Sequence, residues 1–341
     1  MDSTSQQSAW SANGFVKGAW WCATRCLLVL LLGLLAGCAS GSRPTVGMVP
    51  KGSHHIFWET VRAGAAKAGQ EFGINVEWIV PSSEADVQRQ IQIVNSLIGR
   101  RVSGIALAPM DKKSLVAPVH AATENRIPIA IFDSGIESDE YISYVATDNA
   151  GAGRLAARRM GKILRGEGDV AIISSMPGSA ATIEREQAFQ DELRLLFPKI
   201  RVVALQYGMA DHSRAEAVTE MILAAHPALA GVFADNESSS LGALGALRKH
   251  GARNVRLIAF DSTTELVSGL KAGEIDSLVV QNPFRMGYEA VRGLAAKLAG
   301  KHPPLFVDSG VRLVAADDLD SVEVRQLLFP DLQTHLKNAR Q

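Results

Sequence analysis

The sequence predicts an α/β protein of two Rossmann-like lobes, each built on a parallel sheet. Three observations carry this. Short β-branched apolar runs alternate with helical stretches, the alternation occurs twice with a break near Thr147-Asp148-Asn149, and polar residues recur just after the strand-like runs in both halves. Continuous apolar strands separated by helices of this kind indicate parallel sheets covered on both faces. A chain of 341 residues, 47% of them hydrophobic, suffices for about two such domains.

In order, the first series places strands over 45–49, 75–80, 104–108 and 127–132, with helices over 58–72 and 86–98. The second places strands over 169–174, 201–206, 231–234, 255–260 and 277–281, with helices over 150–164, 183–196, 214–225 and 239–250. Gly151-Ala152-Gly153-Arg154-Leu155-Ala156 fits the dinucleotide fingerprint G-x-G-x-x-A. The next strand ends in serines rather than in the acidic residue that would grip a ribose hydroxyl, so these glycines read as close packing at a crossing between lobes. A last strand–helix unit follows Gln281, and 317–341 reads as one polar helix plus a tail.

The N-terminus forms a class of its own. Lys17 and Arg25 precede a ten-residue apolar run over 26–35, which ends in Leu35-Ala36-Gly37-Cys38. That run is short of the ~20 residues of a membrane span and suits the apolar region of a signal peptide. An ordinary secretory signal or a buried apolar helix are the alternatives. Small residues in order before a cysteine resemble the bacterial lipobox, which implies cleavage after residue 37, acylation of Cys38 and a polar linker to residue 43. Cys22 and Cys26 leave with the signal, so no cysteine remains for a disulfide or a metal site.

Composition narrows the function. The 35 basic and 35 acidic residues cancel, which gives no basic face for nucleic acid. The eight histidines lack metal-ligand spacing, and no nucleophile elbow or phosphate loop is present. The reading is a binding protein rather than an enzyme, with no metal and no cofactor.

Ligands of open parallel sheets sit beyond the carboxyl ends of the strands. The residues there are 53–58 after the first strand, Asp133-Ser134 after the fourth, then Asp235-Asn236-Glu237, Asp261 and Gln281-Asn282. Two facing rims of this kind make a cleft. Taken singly, Asp133 and Asp261 could be helix caps or turn residues, and Arg185 a surface partner of Glu184 or Glu186. Phe57 and Trp58 are adjacent and do not share a helical face, so at least one should leave the core.

In these stretches the chain resembles the periplasmic sugar-binding proteins of ABC transporters, the type I group that includes ribose-binding protein. The resemblance runs from about Arg43 to Leu313. It is carried by His54-His55-Ile56-Phe57-Trp58, Ala146-Thr147-Asp148-Asn149, Glu184-Arg185-Glu186, Phe233-Ala234-Asp235-Asn236-Glu237, Ala259-Phe260-Asp261 and Val279-Val280-Gln281-Asn282-Pro283. It implies three strand crossings between lobes, with 44–147 and 281–306 in the N-terminal lobe and 148–280 and 307–316 in the C-terminal one. It implies an aromatic pair at Phe57 and Trp58 against a sugar ring, carboxylate acceptors at Asp133 and Asp261, a donor at Arg185, and amides at Asn236 and Gln281. His55 stands where the family has an asparagine, and His212 where an aromatic residue closes the ring. Ala108 replaces an asparagine contact, and Ser134 the arginine that follows the aspartate, which points away from ribose itself. The resemblance further implies a monomer that passes a sugar-like small molecule to a membrane permease, and the lipobox at Cys38 implies a lipid anchor to the cell envelope. A periplasmic sensor component docking on a chemoreceptor or sensor kinase is the alternative. Alanine at Arg185 or Asp261 is expected to weaken binding and leave melting intact.

Overall fold

The computed structural model describes residues 43–53 and 55–338. The signal region, Cys38 and His54 lie outside the described residues.

The first lobe is laid down as β1 (Thr45–Val49), α1 (Ile56–Phe72), β2 (Asn75–Trp78), α2 (Val87–Gly99), β3 (Gly104–Leu107), α3 (Val116–Glu124), β4 (Ile129–Phe132) and β5 (Ser143–Ala146). The second comprises α4 (Asn149–Ile163), β6 (Glu167–Ser174), α5 (Ala180–Leu196), β7 (Lys199–Tyr207), α6 (His212–Ala225), β8 (Leu229–Ala234), α7 (Glu237–Lys249), β9 (Arg256–Phe260), α8 (Thr264–Lys271) and β10 (Ser277–Gln281). Then α9 (Pro283–Leu298) and β11 (Phe306–Asp308) return to the first lobe. After them come β12 (Val311–Val314), a 3₁₀ turn (Ala316–Asp318), α10 (Val322–Leu328) and α11 (Leu332–Asn338).

Each lobe holds a six-stranded sheet, ordered β11-β5-β4-β3-β1-β2 in the first and β12-β10-β9-β8-β6-β7 in the second. All pairings in the first are parallel, and in the second only β12 runs antiparallel, against β10. Every residue of β3 and β4 is buried, as it must be in a sheet with apolar clusters on both faces.

Helix α9 lies on α1 at unusually close range. A Cβ on Gly64 would fall on the Phe284 carbonyl, and one on Gly287 on the Val61 carbonyl. The two glycines therefore let the backbones meet. Gly153 does the same for α4 against the Arg185 carbonyl of α5, within the second lobe rather than at a crossing between lobes, while a Cβ on Gly151 would meet the Asp148 carboxylate that caps its helix.

The expected boundaries shift at three places. Gln281 ends β10 and pairs in the second sheet. Val307 pairs with Val145 in the first sheet, so the third crossing falls at Ser309-Gly310 rather than before 307. The C-terminal stretch is two helices rather than one. Val324 and Leu328 of α10 sit in the second lobe's core beside Leu266 and Leu270. The chain then crosses back at Phe329-Pro330-Asp331, and α11 packs on α1 of the first lobe, where His335 meets the Phe284 ring at 5.1 Å between centroids. Pro330 ends α10, because a proline disfavours helix at the residue before it. The lobes are thus bridged four times among the described residues.

Candidate functional site

The carboxyl ends of both sheets face each other across a cavity, and the residues there are polar and buried. Asp133 follows β4 and Asp261 follows β9. Both adopt left-handed backbone, with φ of 63° and 67°. Each donates its N–H to the neighbouring strand, Asp133 to the Val145 carbonyl and Asp261 to the Val279 carbonyl, both at 2.9 Å. Neither caps a helix; the cap of α8 is Thr263. Two aspartates thus hold left-handed backbone at equivalent points of the two sheets, with both residues lining the cavity.

The charges of the two aspartates are met differently. Lys51, just after β1, sets its Nζ 2.8 Å from Asp133 Oδ2 and donates to Ser134 Oγ at 3.0 Å and to Ser179 Oγ at 3.2 Å. Ser179 precedes α5, so this ammonium joins the lobes, as does the Ala181 N–H that donates to Ser134 Oγ at 3.0 Å. Asp261 receives the Gln281 Nε2 amide at 2.7 Å. Gln281 Oε1 in turn accepts from Arg185 Nη2 and from Thr147 Oγ1, each at 2.9 Å. Arg185 also donates to Asn149 Oδ1 at 2.9 Å and to the Asp235 carbonyl at 2.7 Å, and its guanidinium lies 3.9 Å from the Phe260 ring centroid. Burial pushes the Asp261 carboxyl up, against the pull of Arg185 and the Gln281 amide, to about 6.

A second contact between lobes forms at the N-terminus of α1. His55, the N-cap, makes no capping bond of its own. Glu237 of the second lobe supplies it: one oxygen accepts the Phe57 N–H at 3.3 Å and the other lies 3.2 Å from His55 Nδ1. A carboxylate on free N–H groups at the positive end of a helix dipole is well placed. Glu84 accepts from Trp58 Nε1 at 2.6 Å and lies 3.4 Å from His55 Nε2. Burial disfavours a charged His55, but the Glu237 hydrogen bond and the charges of Glu84, Glu237 and Asp261 outweigh it and raise the ring to about 9. Burial also pushes Glu84 upward, in spite of His55, the Trp58 N–H and Lys51.

A model of the periplasmic binding protein domain matches residues 46–302. The chain belongs to this family. Ribose import binding protein of Bacillus subtilis is 26% identical over 300 residues, 84% of this chain and 96% of its own. The D-allose-binding periplasmic protein of Escherichia coli is 26% identical across 87% of this chain and 96% of its own. Among solved structures, a carbohydrate-transporter solute-binding protein from Agrobacterium radiobacter in complex with D-arabinose superposes with a TM-score of 0.82 at 31% identity, covering 85% of this chain and all of that one.

In this periplasmic binding protein, His55, Phe57, Trp58, Asp133, Arg185, Asn236, Asp261 and Gln281 all line the one cavity. Phe57 and Trp58 do so without leaving the core: both are buried in the first lobe's apolar cluster, edge to face at 4.8 Å. They occupy the first turn of α1, where the helix end itself points into the cleft and is covered on both sides. Asn236 lines the cavity while its Oδ1 caps α7 through the Ser239 N–H at 3.0 Å. His212 is a correction. It is exposed in the first turn of α6, capped by Asp211, and does not line the cavity. The site's position in the sheet order explains this: α6 follows β7, the outermost strand of its sheet.

Sequence reasoning missed Lys51, Glu84 and the Glu237 side chain. Lys51 carries the cation that the resemblance places at residue 134, delivered from β1 instead of β4. The only advance signal was the arginine-to-serine departure at Ser134 beside an aspartate, which left Asp133 without its usual counter-charge.

Proposed function

We propose that this chain captures a sugar or sugar-like small molecule between its two lobes and delivers it to an ABC importer. The observation that carries the reading is the pair of facing rims. Asp133 with Lys51 lies on one lobe, Asp261 with Gln281 and Arg185 on the other, and Phe57 and Trp58 line the cavity from the first lobe. Carboxylates and a guanidinium bind neutral hydroxyls through charge-assisted hydrogen bonds, roughly twice as strong as neutral ones. Aromatic faces accept the C–H side of a sugar ring. The names of the relatives, which include ribose, D-allose and D-arabinose binders, support the same ligand class. Contacts on both rims exist together only when the lobes are closed, so ligand selects the closed form by hinge motion.

The site residues of this reading are Phe57, Trp58, Asp133, Arg185, Asn236, Asp261, Gln281 and His55, joined by Lys51. The chain acts as a monomer, exported and held at the cell envelope through acylated Cys38. Among the described residues no helix is long and apolar enough to cross a membrane. Thermal-shift screening of the chain from residue 39 against pentoses, hexoses, polyols and nucleosides tests the ligand class. A sugar or polyol should raise the melting temperature and give saturable heat in calorimetry. A panel in which only nucleosides or no compound does so overturns the reading.

A further inference from the structure

Behind Arg185, inside the second lobe, two carboxyl groups converge on one hydroxyl. Ser174 Oγ, at the end of β6, contacts Glu186 Oε1 and lies 2.6 Å from Asp235 Oδ2. Ser174 and Asp235 are fully buried and Glu186 nearly so. A serine hydroxyl has one hydrogen and can donate to one acceptor. Two ionised carboxylates therefore cannot both bond to it, and an oxygen at hydrogen-bond distance on the second side must itself carry a proton.

The remaining donors decide which side. Tyr207 donates its hydroxyl to the other oxygen of Glu186 at 3.4 Å. Burial raises the Glu186 carboxyl, but Glu186 can accept from two hydroxyls, and these pull it back toward the anion. Asp235 Oδ1 has no hydrogen-bond partner, a lesser cost for the carbonyl oxygen of a neutral acid than for a carboxylate. Burial and the neighbouring Glu186 charge push Asp235 well above the ordinary carboxylate range, outweighing the Ser174 hydroxyl, the Arg185 guanidinium and the Ser175 amide, which pull it down.

We propose that Asp235 is a neutral carboxylic acid at physiological pH, donating to Ser174, which donates to an ionised Glu186. One negative charge is then held by the pair, on Glu186, while the Arg185 guanidinium makes its own hydrogen bonds to neutral oxygens and meets the relay through the Asp235 carbonyl. The relay ties β6 to α5 and to the loop after β8. These are the elements that carry Arg185 and Asn236, and the Asp235 carbonyl itself holds Arg185 Nη1. Asp235 and Glu186 are positioning residues for Arg185, whatever ligand the cleft takes.

Proton linkage makes this testable. The folded chain keeps a proton that the unfolded chain releases above pH ~4, so each further pH unit costs about tenfold in the folding equilibrium until Asp235 ionises. Asp235→Asn supplies a neutral side chain that can donate to Ser174 without this cost. Its melting temperature should match the parent near pH 5 and exceed it increasingly toward pH 8. A variant that melts below the parent by a constant margin at every pH overturns the proposal, because it would show that the ionised carboxylate is needed. The intact chain gives an independent reading should the variant not fold. With carboxyl-labelled aspartate at pH 8, where Asp261 is ionised, an isotope-shifted infrared band of a protonated acid should be present, and its absence overturns the assignment.

Discussion

The two lobes share one plan and handle charge in opposite ways. In each, the sheet order is 2-1-3-4-5-6 by position within the lobe, and the fourth strand ends in an aspartate forced into left-handed backbone. In the first lobe an ammonium neutralises that aspartate directly, 2.8 Å away. In the second an amide stands between Asp261 and Arg185, and the carboxyl is raised to about 6. The backbone trap is therefore a property of the fold, and the chemistry of each rim is set by which neighbouring strand end offers a partner. The first rim is a closed ion pair; the second is a chain of hydrogen bonds whose members depend on one another.

The sharpest way to break the comparison is Arg185→Ala. The structure revises the expectation that melting would stay intact, because Arg185 holds Asn149, Asp235 and Gln281 together while buried. Removing one partner of a buried charged network costs about 3–5 kcal/mol. Chemical denaturation should show that loss together with a collapse of ligand binding in calorimetry, and a stable variant would show the second rim to be no more cooperative than the first. Lys51→Met on the first rim should cost less, about 1–3 kcal/mol, the usual penalty for a buried acceptor that loses a hydrogen-bonded partner, and thermal melting should register it. Next comes Gly287→Ala, which drives a methyl into the Val61 carbonyl. Overpacking of this kind costs about 1–3 kcal/mol, and thermal melting should register it without a change in ligand preference.

The pH dependence separates the rims further. An ionised Asp261 accepts from a hydroxyl through a charge-assisted bond, roughly twice as strong as a neutral one, so ligand affinity should fall as pH drops below about 6. For folding the sign is reversed: an acid raised from its ordinary 3.8 to about 6 contributes most below 3.8 and loses that contribution as pH climbs to 6. His55, raised from 6.5 to about 9, contributes stability that is fully present below 6.5 and lost as pH rises through 9. Its link to Glu237 weakens over the same range. Calorimetric affinity should thus plateau between about 6 and 9. Asp261→Asn should flatten the acid limb, and His55→Gln the alkaline one. The smallest effect belongs to His212→Ala, which should leave affinity unchanged and stability within about 0.5 kcal/mol, as for exposed positions generally.

The doubled strand–helix pattern was legible because parallel strands buried on both faces, such as Ile129–Phe132, are unbroken apolar runs. Strand β5 was not. It is four residues long, and Ser143 and Tyr144 interrupt its apolar run. The strand-end aspartates could be placed from sequence, but their partners could not. His55 and Glu237 are 182 positions apart, and Lys51 and Ser179 are 128 apart. No local period encodes such pairs, which form only because two rims meet. His212 was misplaced for the converse reason: a motif can align in sequence while its helix turn faces solvent.

The return of the chain through Phe329-Pro330-Asp331 sets a mechanical limit. Leu328 is seated in the second lobe and Leu332 begins the helix that rests on the first, with four backbone steps between them. At no more than ~3.6 Å per step, those seats can move at most about 14 Å apart before one helix is pulled off its bed. The C-terminal segment is thus a built-in stop on the swing of the two halves, with a travel fixed by the length of a three-residue cord.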